Sequence, residues 1–349
     1  MAGNFLHNAW YCAALSDEVT DKPFARMFLN EPVVMYRRED GEPVALADIC
    51  AHRRAPLSDG CVQGDNIQCP YHGIIFDSEG KAVWAQGREK IHPNMKVRKY
   101  PLVDKHGFLW IWMGDPARAD ETTMYDCSLL DLPGWAVQRG EFYSRSAAMM
   151  AIDNIMDLSH TAFVHAATIG AGDDLDPEAL TWERRENYIK GTRKATRMTP
   201  SPAYLARGAG DYMLTQVKTM SYEPPYYSNV DIFTKEADCE PGAERFNEEF
   251  RTFNMMTPET DTSHFYFYAN CRNFRIDDEE FGAINLKIGH TLLAEDVKIC
   301  EAVQRRTLQC PSSPEIDLAA DAGGLQARRI IKRLIAQERE EEAMPAAAE

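Results

Sequence analysis

Two short motifs near the start of the chain each place one cysteine close to one histidine. Cys50 and His52 form the first motif, and after 16 intervening residues Cys69 and His72 begin and end the second. Thiolates and imidazoles bind soft and borderline metal ions, so two facing loops could close this set around a metal. The set fits a tetrahedral zinc ion. It also fits a [2Fe–2S] cluster in which two cysteines hold one iron and two histidines hold the other.

The order of the ligands within each motif separates these interpretations. Zinc modules usually group two cysteines apart from two histidines, whereas each motif here contributes one of each. One cysteine and one histidine per loop allow the thiolates to meet at one iron and the imidazoles at the other. The pattern therefore favours the iron–sulfur cluster. Zinc is the second interpretation, and four side chains that bind no metal are the third.

A second group of chemistry-bearing residues lies near the middle of the chain. Asp157 and His160 are three residues apart and share one side of a helix, whereas His165 would point about 140° away from His160 in a regular helix. Both imidazoles can reach one ion only if the helix ends or bulges between them. The alternative is a buried helix with two hydrogen-bonded core histidines. A di-iron site would need repeated helices that each carry an acid-x-x-His motif, and the other Asp-x-x-His match begins an aromatic run typical of a strand.

A mononuclear iron site with two histidines needs one further carboxylate. A predicted helix late in the chain carries Asp296 on the stripe formed by Leu292, Ile299 and Val303. A carboxylate on an apolar stripe is costly to bury unless it is paired or bound to a metal. Periodicity therefore nominates Asp296 as the third ligand, with Glu295, one residue off the stripe, as the weaker candidate.

The elements that must hold these residues fall into two parts. The first third alternates short β-strands with turns and ends at the turn Gly114–Ala117, which predicts a β-domain over residues 1–118. The rest mixes strands with two helices, over 280–309 and near 324–339, and predicts a second domain over residues 119–349. The fold class expected is α+β.

Composition restricts the classes of function. The 349 residues include 38 Lys plus Arg and 54 Asp plus Glu, and the net charge of −16 argues against binding to nucleic acid or to an anionic membrane face. No stretch reaches the ~20 apolar residues that span a bilayer, and no basic residue precedes the first apolar run as in a signal peptide. The nine cysteines, an odd number, indicate a reducing compartment, and we expect a cytoplasmic protein.

Both motifs resemble those of the Rieske non-haem iron oxygenases. The pattern Cys-x-His…Cys-x2-His-Gly is similar to the Rieske domain of aromatic-ring oxygenases, and Asp-Asn-x-Met-Asp-Leu-x-His-x4-His is similar to their catalytic-iron motif. Within this family the chain resembles the vanillate O-demethylase and dicamba monooxygenase branch over essentially its whole length. The resemblance implies an all-β Rieske domain, followed by a catalytic domain with a curved antiparallel sheet packed by helices.

The resemblance also implies roles for individual residues. The implied cluster ligands are Cys50, His52, Cys69 and His72, and the implied iron ligands are His160, His165 and Asp296. Asp157 would link a cluster histidine of one subunit to an iron histidine of the next in a head-to-tail homotrimer, with Asn154 beside it. Electrons would come from NAD(P)H through a separate ferredoxin or reductase, because the chain carries no recognisable flavin or nicotinamide motif.

The implied reaction uses O2 to remove a methyl group from a small methoxylated aromatic acid such as vanillate, giving a phenol and formaldehyde. Asn229, Asn254 and Lys287 are the expected substrate residues. Asn254 and Lys287 stand where the dicamba enzyme has His and Trp, which argues against dicamba itself. The alternatives are a Rieske hydroxylase of the ring or a methyl group of another aromatic acid or sulfonate, a simple Rieske electron carrier, and a zinc-stabilised binding module.

Overall fold

The computed structural model describes residues 4–87, 90–166, 180–200, 204–205, 207–240 and 242–343. The chain divides into two compact units, which comprise Met1–Tyr125 with Thr257–Phe265 and Gln337–Glu349, and Asp126–Met256 with Tyr266–Ala336. Neither unit is continuous in sequence, and the expected domain boundary after Arg118 stays a prediction.

Short antiparallel strands build the first unit. Their bounds are β1 Trp10–Leu15, β2 Phe24–Phe28, β3 Glu31–Arg37, β4 Pro43–Ala47, β5 Cys61–Gln63, β6 Asn66–Gln68, β7 Ile75–Phe76, β8 Ala82–Trp84, β9 Lys99–Tyr100, β10 Leu102–Lys105 and β11 Phe108–Trp112. They form three sheets with the orders β1-β11-β10, β2-β3-β4-β9 and β5-β6-β7-β8. This unit is the all-β part that the turn-rich first third of the sequence predicts.

The core of the first unit holds the two cysteines of the metal-ligand motifs. Apolar side chains of β3, β4, β6 and β7, such as Tyr36, Leu46 and Phe76, pack in one cluster with Cys50 and Cys69. Each of these residues is at most 2% exposed. The base of each motif loop is therefore fixed by the burial of its cysteine in a close-packed core.

The second unit is built on one large sheet with the strand order β12-β18-β17-β16-β15-β14-β13. The bounds of these strands are β12 Ala136–Ser144, β13 Leu180–Arg185, β14 Tyr188–Met198, β15 Leu214–Glu223, β16 Tyr227–Glu236, β17 Asn247–Thr260 and β18 Ser263–Arg272. The pairs from β13 to β17 are antiparallel. With the helices below, this sheet confirms the expected α+β class.

The helices are α1 Ala148–Met156, α2 Thr161–Val164, α3 Glu279–Gln309 and α4 Ala322–Ala343. Short 3₁₀ turns cover Ser16–Glu18, Pro116–Arg118, Glu121–Thr123, Ser128–Asp131, Leu158–His160 and Ala319–Asp321. Both long helices predicted from periodicity are present, and α4 buries one apolar face that includes Ala327, Ile330 and Ile331. Among the described helices, none is both long and apolar enough to cross a membrane.

The apolar stripe expected on α3 is not the buried face of that helix. Ile299 and Val303 are 41% and 48% exposed. The side chains that α3 buries near its middle are Cys300 and Gln304, four and eight residues after Asp296. Apolar periodicity identifies one face of a helix but does not specify what covers it. The predicted burial of the stripe is therefore wrong, although Asp296 itself is partly buried.

Candidate metal centres

His160 and His165 lie on an interrupted stretch of helix. α1 ends at Met156, and Asp157 has an extended backbone with φ −122° and ψ 95°. The Asp157 carboxylate accepts a hydrogen bond from the Ser159 backbone N–H at 2.9 Å and so begins the 3₁₀ turn Leu158–His160. The four-residue α2 follows and ends immediately before His165. The irregular helix that the histidine spacing requires is therefore present.

Three ligand atoms converge at this site. Nε2 of His160 and Nε2 of His165 lie 3.4 Å and 3.2 Å from Oδ1 of Asp296 on α3. The two imidazole ring centroids are 5.3 Å apart, and ligand atoms of all three residues lie within 4.8 Å of one another. Two imidazole nitrogens and one carboxylate oxygen form the donor set that binds Fe(II) in non-haem oxygenases. The residues present therefore fit a mononuclear iron.

The second nitrogen of each imidazole is held by a hydrogen-bond acceptor. Nδ1 of His160 lies 2.5 Å from the backbone carbonyl oxygen of Asp157, and Nδ1 of His165 lies 2.7 Å from Oε2 of Glu295. Because a carbonyl and a carboxylate only accept hydrogen bonds, each Nδ1 carries the proton. A neutral ring that is protonated at Nδ1 directs the lone pair of Nε2 towards the side of Asp296, where it can bind a metal ion.

Asn154 contacts the carboxylate of this group. Its Nδ2 donates a hydrogen bond to Oδ1 of Asp296 at 3.2 Å, so α1 supplies an amide that restrains the ligand from α3. Burial lowers the pKa of His165, but hydrogen bonds to Asp296 and Glu295 outweigh it and leave the pKa above its ordinary value. The carboxylates thus make the site favourable for a positive charge, whether proton or metal ion.

The four residues of the two Cys/His motifs separate into a buried pair and an exposed pair. Cys50 and Cys69 are 1% and 2% exposed, whereas His52 and His72 are exposed, with ring centroids 4.6 Å apart. Burial raises the pKa of the Cys50 thiol, and the adjacent Cys69 thiol raises it further. Thiols meet thiols in the core and imidazoles meet imidazoles at the surface, as a two-iron cluster with two ligands of each kind requires.

The two cysteine loops close in the same way. The N–H of Arg54 donates to the carbonyl of Cys50 at 2.9 Å, and the N–H of Gly73 donates to the carbonyl of Cys69 at 3.1 Å. The donor lies four residues after the cysteine in both loops and has a left-handed backbone, with φ 61° and 68°. Glycine adopts this conformation without strain. The two loops that carry the ligands therefore share one backbone geometry.

The arrangement of the Cys/His set favours two metal ions over a single zinc ion. A tetrahedral zinc site places its ligand atoms about 3–4 Å apart. Among the described residues, one group of three offers one ligand atom from each member within 4.8 Å of the others, and it consists of His160, His165 and Asp296. The Cys/His set is spread more widely than one ion requires, which agrees with two metal ions.

Comparison with known proteins agrees with both sites. Residues 9–101 match the Rieske [2Fe–2S] domain, and residues 145–337 match the vanillate O-demethylase oxygenase C-terminal domain. The chain belongs to the Rieske oxygenases of the vanillate O-demethylase family. As a member of this family it is the oxygenase component of a monooxygenase, with a [2Fe–2S] cluster and a non-haem iron, and it uses O2 and electrons supplied by a reductase.

Two relatives and one solved structure show how far the similarity extends. One relative is the toluene-4-sulfonate monooxygenase system iron-sulfur subunit TsaM1 of Comamonas testosteroni. It is 34% identical to this chain, over an alignment that covers 96% of this chain and 98% of the relative. A vanillate O-demethylase oxygenase subunit from a Pseudomonas species is 33% identical over 96% of both chains. The crystal structure of dicamba monooxygenase bound to 3,6-dichlorosalicylic acid superposes with a TM-score of 0.87 at 31% identity, covering 96% of this chain and 99% of the other.

Asn254 of this Rieske oxygenase is buried in the large sheet, at 2% exposure. Its Nδ2 donates to the backbone carbonyls of Ser228 at 3.2 Å and Thr252 at 3.4 Å, and its Oδ1 accepts a hydrogen bond from the Tyr266 hydroxyl at 3.0 Å. Both amide N–H groups are thus engaged within the protein. Asn254 links three strands of the sheet and retains little capacity to hold a substrate.

The three expected substrate residues do not share one surface. In the pairing of β16 with β17, Ser228 lies opposite Asn254 and Asn229 lies opposite Phe253. Directly opposite side chains share a face of the sheet and successive ones alternate, so Asn229 and Asn254 point to opposite faces. Lys287 is exposed on α3. The role of these three residues in holding a substrate stays a prediction, and the structure places Asn229 and Asn254 on opposite faces of the sheet.

Sequence reasoning named Glu295 only as an alternative ligand, and it missed Tyr266 and Ser228. Glu295 binds the ring of His165, as described above. Burial raises the pKa of Tyr266 well above its ordinary value, and the charge of Asp296 raises it further. Tyr266, which donates to Asn254, therefore lies close enough to the candidate iron site to sense the charge of Asp296. Ser228 is 1% exposed, and its Oγ has no hydrogen-bond partner among the described residues. The aromatic run around Tyr266 had indicated only a strand, and no sequence signal distinguishes Ser228.

Proposed function

We propose that this oxygenase removes the methyl group of a small methoxylated aromatic acid such as vanillate, giving a phenol and formaldehyde. The observation that carries the oxygenase chemistry is the convergence of His160, His165 and Asp296 within 4.8 Å. Demethylation is supported by the similarity to vanillate O-demethylase and dicamba monooxygenase over nearly the whole chain.

The donor atoms support specific ligand assignments. The proposed iron ligands are Nε2 of His160, Nε2 of His165 and the Asp296 carboxylate. The proposed cluster ligands are the thiolates of Cys50 and Cys69 and the imidazoles of His52 and His72. When bound, the mononuclear iron supplies open coordination positions for O2, and the cluster supplies electrons singly.

The proposed reaction balances with one NADH. The aromatic methyl ether, O2, NADH and one proton give the phenol, formaldehyde, water and NAD⁺. One oxygen atom enters a C–H bond of the methyl group and the other becomes water. The hemiacetal so formed breaks the bond between its carbon and the ring oxygen, and the hydroxyl proton passes to the phenolate. Two of the electrons that O2 accepts come from the C–H bond and two from NADH.

The residues around the iron ligands orient them and connect them to the electron source. The Asp157 carbonyl fixes the ring of His160, and Asn154 restrains Asp296. In the assembled trimer the Asp157 carboxylate is proposed to bridge His160 to the partner subunit's His72, where it would accept from Nδ1 of His160 in place of the Asp157 carbonyl. A carboxylate between two imidazoles can pass a proton as the electron moves. This role makes Asp157 the coupling residue between the two metal sites.

The bridge requires a homotrimer with head-to-tail contacts and an external reductase. Exposed apolar side chains support such contacts: Ile288 and Val303 on α3 are 46% and 48% exposed, and Tyr71 and Trp84 in the first unit are 65% and 47% exposed. A ferredoxin, a reductase or both would pass electrons from NAD(P)H in the cytoplasm, because the sequence shows no flavin or nicotinamide motif.

Hydroxylation of a methyl group on another aromatic acid or sulfonate is the second candidate. The observation that favours it is the sequence identity to the toluene-4-sulfonate monooxygenase subunit. This identity is 34%, and the identity to the vanillate enzyme is 33%. The metal sites serve both reactions, and the substrate pocket alone distinguishes them.

A product assay separates the two candidates. Methoxylated benzoates and phenols are compared with methylated benzoates and toluenesulfonates, under air, with NADH and a ferredoxin–reductase pair. Demethylation predicts formaldehyde in proportion to NADH, none without O2, and none from His160→Ala. Hydroxymethyl products from the methylated compounds, with no formaldehyde from any ether, would replace demethylation with hydroxylation.

A further inference from the structure

Adjacent carboxylates of α3 contact opposite nitrogens of one imidazole ring. Oε2 of Glu295 lies 2.7 Å from Nδ1 of His165, while Oδ1 of Asp296 lies 3.2 Å from Nε2 of the same ring. Successive helix residues point about 100° apart, which allows the longer glutamate to reach the far side of a ring whose near side faces the aspartate. The group of converging ligand atoms includes Asp296 and excludes Glu295.

The two histidines of the site are held by different kinds of acceptor. His160 donates from Nδ1 to a neutral backbone carbonyl, that of Asp157, whereas His165 donates to a charged carboxylate. A carboxylate acceptor fixes the tautomer of an imidazole and increases the basicity of its other nitrogen more than a carbonyl does. The metal-facing nitrogen of His165 is therefore the stronger donor of the two.

We propose that Glu295 is a positioning residue of the iron site, which holds the buried ring of His165 with Nδ1 protonated and Nε2 directed to the metal. This proposal rests on the proposed function, because it takes His160, His165 and Asp296 as the metal ligands. His165 stands at the C-terminal end of the four-residue α2, where a short helix gives the ring little orientation of its own. The contact from α3 supplies that orientation.

The surroundings of Glu295 support this assignment. Its side chain is 29% exposed, so water solvates part of the carboxylate, while the His165 side chain is 4% exposed and is buried at the other end of the contact. Glu295 therefore holds the imidazole at Nδ1 without joining the group of converging ligand atoms.

Metal affinity tests this role without reliance on turnover. The mononuclear metal is removed from the enzyme with the cluster left intact, and the protein is dialysed to equilibrium against graded Co(II). Bound cobalt is counted by mass spectrometry, which separates it from the iron of the cluster. Glu295→Gln and Glu295→Ala are expected to weaken Co(II) binding by about 10–100-fold relative to wild type. Their cluster absorption should match that of wild type.

A matched control removes the same charge from the same helix. Glu280 is exposed in the first turn of α3, and Glu280→Gln should leave the Co(II) affinity unchanged. If Glu295→Gln, which keeps the size of the side chain, binds Co(II) as tightly as wild type, the positioning role is wrong. If wild type takes up no Co(II), or if His165→Ala binds it normally, the proposed metal site fails together with the inference.

Discussion

Oδ1 of Asp296 is the atom on which the contacts of the candidate iron site converge. It lies within 3.4 Å of a ring nitrogen of each histidine and accepts a hydrogen bond from Asn154. Asn154 of α1 and the two histidines that flank α2 thus surround the carboxylate that α3 supplies. A change at this atom should remove the metal and leave the cluster cysteines of the first unit unchanged.

Asp296→Ala should therefore lose the mononuclear iron and keep the cluster. We expect iron per chain to fall to the share of the cluster, and turnover to fall by at least ~100-fold, since a ligand has been removed rather than a residue behind it. Metal analysis, cluster absorption and NADH-dependent product formation measure these effects. Full iron content in the variant would show that Asp296 is not a ligand.

At the scale of elements, the end of α4 anchors the N-terminal segment within the first unit. The Glu338 carboxylate accepts hydrogen bonds from the backbone N–H groups of His7 and Asn8 at 2.8 and 2.6 Å and from Nδ2 of Asn8 at 2.8 Å. Burial raises the pKa of Glu338, but these donors and His7 outweigh it and lower the pKa to about 2. The helix end is thereby fixed by an ionised, buried carboxylate.

This anchor predicts loss of stability in acid. Because the pKa of Glu338 is about 2 in the folded protein and 4.5 without perturbation, its contribution is present above pH 4.5 and is lost as the pH falls towards 2. The difference corresponds to about 3 kcal/mol at neutral pH. Chemical denaturation from pH 7 to pH 3 should show wild type losing stability below pH 4.5 more steeply than Glu338→Gln. Equal pH dependence of the two proteins would contradict the anchor.

α4 also packs closely against the end of α1 within the second unit. A Cβ added at Gly323 would lie 3.0 Å from the carbonyl oxygen of Met156 and 2.6 Å from the ring of Trp182. Met156 is the last residue of α1 and directly precedes Asp157. The absence of a side chain at Gly323 therefore allows α4 to support the residue from which the histidine turn begins.

Gly323→Ala should accordingly destabilise the second unit, by about 1–3 kcal/mol, through overpacking that outweighs the higher helix propensity of alanine. Thermal unfolding measures the loss. Gly289→Ala is a matched control on α3, where the added Cβ would meet only the end of the Asn270 side chain at 2.9 Å. If Gly323→Ala is as stable as wild type, the contact between α4 and α1 is less constrained than the structure indicates.

At the scale of the whole molecule, the sequence predicts features that depend on the spacing of nearby residues better than features that depend on how distant strands pair. The positions of Asp157, His160 and His165 required a broken helix, and the structure contains one. Asp296 was selected from a stripe that proved to be exposed, although the structure does bring its carboxylate next to both histidines. The faces of Asn229 and Asn254 depend on the register of two strands, which alternation alone does not specify.

A mixed oligomer tests the proposed cooperation between subunits. An iron-deficient chain, His165→Ala, is co-assembled in equal amounts with a cluster-deficient chain, His72→Ala. Each alone should be inactive, but in a random head-to-tail trimer about one quarter of adjacent pairs combine an intact cluster with an intact iron site, so about one quarter of wild-type activity should return. Circular dichroism checks that both chains fold. No recovery from folded, co-assembled chains would show that each subunit works alone.

The most direct test of the proposed iron site is an anomalous difference map of the iron-loaded enzyme, recorded on both sides of the iron absorption edge. We expect one iron peak bound by Nε2 of His160, Nε2 of His165 and the carboxylate of Asp296, at about 2.0–2.2 Å from each. A separate double peak should lie between the thiols of Cys50 and Cys69 and the exposed imidazoles. Active enzyme with no iron peak at His160, His165 and Asp296 would contradict this assignment.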